Sequence, residues 1–353
     1  MIRTGLIGFG LSGTTFHLPF LTALPDFDVT RVLSSQVENV GKRLPSARCF
    51  SNIDDMLADS ALDLVVITSP NDTHFPYAVK ALQSGCHVLL EKPAVTNFKD
   101  ALKLDKIAKE SRKLLCVYHN RRWDGDFLSV CQLKENGTLG DIKRFESRID
   151  RFRPVVRERW RELPGDGAGI LYDLGPHLID QALQLFGVPK AIGASCRSLR
   201  PGSETTDYFS LTFHYDNNEV ILGSSPYRSG TGIRFQVDGT KATFLFQGID
   251  SQEQQLREGM AITEANFGKQ NHMGEIYYGE ESEPDFVSLE NGIYAELFTQ
   301  LAQAIRNGAK EAPVTILEAA QNIYAIELAE QASRMGLVLP WQFPDRSPDV
   351  VKD

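Results

Sequence analysis

The sequence predicts a doubly wound α/β domain with a parallel sheet, followed by an α+β domain built on a mainly antiparallel sheet. Three observations carry this. Through the first third of the chain, short β-branched apolar runs alternate with amphipathic stretches, the pattern of a parallel sheet covered by helices. That alternation stops near residue 120. From about residue 190 to 247 the texture turns to strand, turn, strand, with signals such as Asp216-Asn217-Asn218 and Asp238-Gly239-Thr240 at the joins. A chain of 353 residues has room for two domains, and the expected division is 1–120 and 121–353.

Taken in order, strands are expected at 2–8, 28–34, 63–68, 86–90 and 114–118. Helices fall between them at 12–23, 36–43, 52–58, 74–84 and 97–111, where apolar residues recur at helical spacing with turn residues at the joins. A helix at 124–135 and a strand at 141–153 follow, then an irregular stretch rich in Arg, Pro and Gly, then a helix at 176–186. Segments at 190–198, 207–215, 218–225, 232–238 and 241–247 read as a β-meander. A polar, Glu- and Gly-rich connection leads to helices at 293–307 and 315–335.

Composition narrows the class. With 42% hydrophobic and 24% charged residues the chain is ordinary globular material. A balance of 37 basic against 46 acidic residues, net −9, leaves no broad cationic surface for a phosphate backbone, so nucleic acid is not an expected partner. No run approaches the ~18 apolar residues of a membrane span, no signal peptide precedes the first strand, and the cytoplasm is the expected address. Five scattered cysteines without a CxxC give neither a disulfide framework nor a zinc site, and no other cluster has metal-ligand spacing.

The first strand runs into Gly8-Phe9-Gly10-Leu11-Ser12-Gly13 and then a helix. In a dinucleotide site the first glycine makes the tight turn, the second admits the pyrophosphate and the third lets helix and strand pack. A carboxylate at the end of the second strand would bind the ribose of NAD, but the chain reads Val32-Leu33-Ser34-Ser35-Gln36. The Ser34 and Ser35 hydroxyls can donate to a 2′-phosphate and Lys42 or Arg43 can neutralise it, so NADP is favoured and NAD stays open. The plainer reading has Ser34 and Ser35 as turn and cap residues.

Further candidates sit at later strand ends, which face the ligand crevice of an open α/β sheet. Ser69-Pro70-Asn71 with His74 follows the third strand, and Glu91-Lys92-Pro93 follows the next. Lys92 suits the steadying of an alkoxide or polarised carbonyl oxygen. Asp173 and His177, four apart on one helix face, could pair so that the carboxylate orients an imidazole that carries a proton. Spacing alone equally allows a plain polar face with Asp180, Gln181 and Gln184.

Together, Gly8 to Gly13, Ser69 to His74, Glu91-Lys92-Pro93 and Gly175-Pro176-His177 resemble the Gfo/Idh/MocA oxidoreductases in order and spacing, across essentially the whole chain. Val117 to Asp124, Asp150 to Pro154, Arg159 to Glu162 and Tyr172 to His177 look like its branch of bacterial NADP-dependent scyllo-inositol dehydrogenases and YdgJ-like oxidoreductases. The resemblance implies a Rossmann domain, then a substrate domain whose open sheet mediates dimerisation, as a homodimer or a dimer of dimers. It implies catalytic positions at Lys92, Asp173 and His177, Asn120 near nicotinamide or substrate, and Trp160-Arg161 near the cofactor. It also implies a cis Lys92–Pro93 peptide. Where NADP-using relatives often carry Arg, this chain has Gln36. The expected reaction is reversible hydride transfer between nicotinamide and a secondary carbinol of a cyclitol or sugar, in a pocket with Asn120, Arg151 and Arg153. The rivals are glycosidases acting through a transient ketone, dihydrodiol or biliverdin-type reductases, and an NADP(H) sensor without turnover.

Overall fold

The computed structural model describes residues 1–58, 62–157, 162–280 and 283–343. In the first part, β1 (Ile2–Ile7), a π-helical turn (Ser12–His17), α1 (Leu18–Ala23), β2 (Phe27–Leu33), α2 (Val37–Arg43), β3 (Arg48–Phe50) and α3 (Ile53–Leu57) precede β4 (Leu64–Ile67). Then come α4 (Asn71–Gln83), β5 (His87–Leu90), α5 (Phe98–Ser111) and β6 (Leu115–Val117). The six strands are parallel in the order β3-β2-β1-β4-β5-β6. Leu64, Val65, Val66 and Ile67 are all buried, as a central strand covered by helices on both faces requires. The chain reverses direction across the sheet between β1 and β4, which opens a crevice at their carboxyl ends.

The second part holds a short 3₁₀ turn (Asn120–Trp123), α6 (Gly125–Glu135), β7 (Ile142–Arg148), α7 (Ile170–Phe186), β8 (Ala191–Arg197), β9 (Tyr208–His214), β10 (Glu219–Ser224), β11 (Phe235–Gly239) and β12 (Ala242–Phe246). It ends with α8 (Gln252–Arg257), β13 (Met273–Tyr278), β14 (Asp285–Ser288), α9 (Ala295–Arg306), α10 (Ile316–Met335) and β15 (Leu339–Pro340). Its nine-stranded sheet runs β14-β13-β12-β11-β7-β10-β9-β8-β15, with α7 and α10 packed on one face.

Several expectations are corrected. β7 inserts between β11 and β10 and runs parallel to β10, so the meander is interrupted. The strand expected over 141–153 stops at Arg148, where Arg148 turns to ion-pair with Asp150. The connection read as merely polar contains α8, β13 and β14. α7 begins at Ile170, not at 176: Leu171, Leu174 and Leu178 already mark its buried stripe, and Pro176 sits inside the helix. Its start is set by Gly169 at φ +85°, where a Cβ would lie 2.7 Å from the Thr206 carbonyl oxygen. α10 has a capping box, Thr315 and Glu318 each closing on the other's backbone N–H, and stops at left-handed Gly336.

There are two apolar cores. The first lies around the parallel sheet but is completed from the far end of the chain by Tyr294, Leu297, Phe298 and Leu301. Phe298 stacks on Phe20 with centroids 4.9 Å apart and planes 9° from parallel. The second core lies between the nine-stranded sheet and α7 and α10.

Candidate active site

The glycine loop after β1 has the shape that a dinucleotide needs. Gly8 adopts φ +94°, and a Cβ there would meet the Thr68 backbone at 2.9 Å. At Gly13 a Cβ would lie 2.3 Å from the Gly8 carbonyl oxygen, so the close crossing of turn and helix excludes any side chain. Gly10 faces open space, and Leu11 beside it is exposed. That open cradle fits a pyrophosphate approaching the backbone. The Ser12 hydroxyl donates to the Glu91 carboxylate.

At the end of β2, Ser34 Oγ accepts from the Gln36 amide at 3.0 Å, which makes it a turn residue as the plainer reading has it. Ser35 is exposed. Gln36 donates from Nε2 to the Phe9 carbonyl at 3.1 Å, lacing this strand end to the glycine loop. Lys42 is exposed on α2, while Arg43 reaches back: its guanidinium lies 5.9 Å from the Phe9 ring centroid and Nη2 donates to the Thr14 carbonyl at 3.3 Å. Arg43 therefore brings a cation to the loop on this side.

Beyond β4, Ser69 bonds Thr73 and Pro70 caps α4, whose first residue is Asn71. The buried His74 ring sits between the Ser69 and Pro93 carbonyls, 2.9 Å from each, and braces two strand-end loops; burial pushes its pKa down. Asn71 Nδ2 would lie 3.0 Å from a Cβ on Gly167, so the loop before α7 crosses over this end of the first sheet.

Glu91 is held from three sides: by Ser12, by His17 Nε2 at 3.0 Å and by the Lys92 amide at 2.9 Å. Burial by itself would raise its carboxyl, but the His17 contact, the Ser12 hydroxyl and the Lys92 charge outweigh it and hold the pKa at about 2. Lys92 leads into a cis bond to Pro93, as expected, and its Nζ donates to the Asp173 carbonyl at 2.7 Å and to Oδ1 at 3.3 Å.

His177 lies one turn further along α7 and is buried, its Nδ1 without a partner. Asp173 thus pairs with Lys92 and does not hydrogen-bond His177 Nδ1, contrary to the expected orienting role. Burial, then the charges of Lys92, Arg121 and Arg234 around it, press the His177 pKa well below its ordinary value, so the ring is a neutral proton acceptor. Of the other groups near this helix, the Tyr118 hydroxyl is engaged with the Phe16 carbonyl at 2.8 Å and Tyr172 packs against the second core. His119 is buried with its Nδ1 also unpartnered.

Asn120 opens the 3₁₀ turn after β6, beside the end of β5. Arg151 and Arg153 line a pocket with Asp173, Arg200, Thr205 and Asp207. Trp160 and Arg161 lie outside the described residues. Sequence reasoning missed His17, the Arg122–Asp180 ion pair and the placement of His119. His119 lies past the end of β6, in a turn where its amide donates to the Val117 carbonyl at 2.9 Å, so strand alternation gives no signal for its placement. Among the described residues no group of His, Cys, Asp and Glu is placed to hold a metal ion, and no helix is long and apolar enough to cross a membrane.

An open glycine cradle at the turning point of a parallel sheet, with an ammonium, a carboxylate and a neutral imidazole converging beside it, defines a two-domain dinucleotide-dependent oxidoreductase. Residues 2–119 match the NAD-binding Rossmann fold of the Gfo/Idh/MocA oxidoreductase family, and residues 132–339 match that family's C-terminal alpha/beta domain. The chain belongs to the Gfo/Idh/MocA family and is an enzyme of its NAD(P)-binding oxidoreductase type. It is 37% identical over 94% of its length to the scyllo-inositol 2-dehydrogenase (NADP(+)) IolW of Bacillus subtilis strain 168, 94% of which is covered. It is 38% identical to the oxidoreductase YdgJ of Escherichia coli K12, over 94% of this chain and 96% of that one. The solved structure of the Bacillus subtilis oxidoreductase yvaA superposes with a TM-score of 0.93 at 35% identity, covering 97% of this chain and 99% of the other.

Proposed function

We propose that this chain is an NADP-preferring dehydrogenase of secondary alcohols on cyclitols or sugars, with scyllo-inositol as the first substrate to try. The observation that carries the reading is the Lys92 ammonium fixed on Asp173, one helical turn from the buried neutral ring of His177. The similarity to IolW supports the substrate class and the cofactor. A dinucleotide with its pyrophosphate on the Gly8–Gly13 cradle would supply the nicotinamide carbon that exchanges hydride with the substrate. His177 takes the hydroxyl proton in the oxidative direction and returns it in the reductive one. Lys92 stabilises the negative charge that grows on the same oxygen, and Asp173 aims Lys92. Arg151 and Arg153 bind the remaining hydroxyls, and Asn120 serves the nicotinamide or the substrate.

The preference for NADP rests on a strand end without a carboxylate, with the Ser35 hydroxyl exposed and Arg43 placed by the loop. The same reading takes the chain as a homodimer in the cytoplasm, associated through the sheet face not covered by α7 and α10. Absorbance assays with inositols, inososes and aldoses against both cofactors test it. Turnover of scyllo-inositol or its inosose with NADP is expected. Cleavage of a glycoside with the cofactor returned unchanged, or tight NADP binding with no turnover of any polyol, would overturn it.

A further inference from the structure

We propose that Arg122 is a positioning residue: its clasp on Asp180 sets where α7, and with it His177, stands relative to Lys92. The proposal rests on the dehydrogenase reading above. Arg122 belongs to the turn that follows β6 in the first sheet, and Asp180 lies on α7 one turn past His177. Arg122 Nε donates to Asp180 Oδ2 at 2.8 Å and Nη2 to Oδ1 at 2.7 Å, a two-pronged grip. Its third nitrogen, Nη1, lies 3.0 Å from Glu318 Oε1. Glu318 is in turn fixed at the start of α10, taking the Thr315 amide at 2.7 Å.

The next residue of α7 repeats the grip. Gln181 donates from Nε2 to the Arg121 carbonyl at 2.7 Å and accepts Arg234 Nη2 on Oε1 at 2.8 Å. Two successive residues of the helix thus hold two successive residues of the turn. At its other end, α7 is held by Lys92 on Asp173, from the end of β5. His177 lies between the two fixings, on the face shared with Asp173, Asp180 and Gln181. Its own ring has no hydrogen-bond partner at Nδ1, so its position depends on the helix that carries it. Buried ion pairs contribute little net stability against an apolar replacement, whereas a planar fork fixes orientation, and orientation is what proton transfer needs.

The test uses Arg122→Ala and Arg122→Lys in the full-length protein. For Arg122→Ala we expect kcat on the polyol to fall about 10²-fold, the cost of a displacement near 1 Å. KM and the NADP dissociation constant, read by fluorescence titration, should stay close to wild type. Millimolar guanidinium should restore part of kcat, and Arg122→Lys, which keeps the charge without the fork, should fall between. An unchanged kcat overturns the proposal. So does a joint loss of kcat, KM and cofactor affinity that guanidinium does not relieve. Should Arg122→Ala not fold, Arg122→Lys alone carries the comparison. Should the wild type turn over no polyol, the dehydrogenase reading fails by itself. The clasp is then judged from crystal structures of wild type and Arg122→Lys with NADP: a displaced His177 upholds it, and an unmoved His177 overturns it.

Discussion

Replacing Glu91 by glutamine removes a charge that three donors converge on, and its cost follows from the site. The folded carboxyl sits at about 2 against 4.5 for the unfolded side chain, a gap of ~2.5 units worth about 3 kcal/mol in all. Because the folded form binds its proton less readily than the unfolded form, this stabilisation is complete above about pH 4.5 and is lost as the pH falls towards 2. By pH 3.5 about 1.4 kcal/mol of it is gone. The glutamine amide would also point a donor at one of the Ser12, His17 or Lys92 donors. Urea unfolding of wild type and Glu91→Gln, followed by tryptophan fluorescence at pH 7, 4.5 and 3.5, reads this directly. The gap should be about 3 kcal/mol at pH 7 and narrow visibly at pH 3.5. A gap below about 0.5 kcal/mol at pH 7, or one that does not change with pH, would refute the account of this carboxylate.

His177→Ala should lower turnover by roughly 10²–10⁴-fold with little change in NADP affinity, measured by steady-state kinetics beside a fluorescence titration. Since the His177 pKa is pressed well below its ordinary value, the acid limb of the wild-type pH profile should lie below about pH 6.5, the ordinary histidine value; a limb centred there would count against His177. Ser35→Asp should weaken NADP and improve NAD, and Arg43→Ala should weaken NADP more than NAD, both by calorimetric titration. Phe298→Ala should cost about 3–5 kcal/mol in urea unfolding, through the lost stack on Phe20 and the cavity left behind.

What the sequence made legible follows from locality. The glycine loop was readable because turn, open approach and helix crossing are all settled within Gly8 to Gly13, and the alternating strands and helices because their periods are short. β13 and β14 were not, since Met273–Tyr278 and Asp285–Ser288 lie in a polar stretch at one edge of the sheet and are strands by pairing with each other and with β12. The place of β7 beside β10 is likewise fixed only by partners some 75 residues away. Asp173 and His177 were found by helical spacing, yet the partner of Asp173 came from Lys92, 81 positions earlier in the chain. Spacing finds which residues share a face. It does not find what approaches that face from another element.

The stack of Phe298 on Phe20 has a consequence for how the protein is made. The nucleotide-binding half leaves the ribosome with a hole where Tyr294, Leu297, Phe298 and Leu301 will sit. At 5–20 residues per second, roughly 180 further residues take about 10–35 seconds to arrive. For that interval the nascent sheet bears an unfilled apolar surface over Phe20 and Tyr118. Only when α9 arrives is it closed, so the nucleotide-binding half reaches its final packing after β7 to β14 of the second sheet have been made.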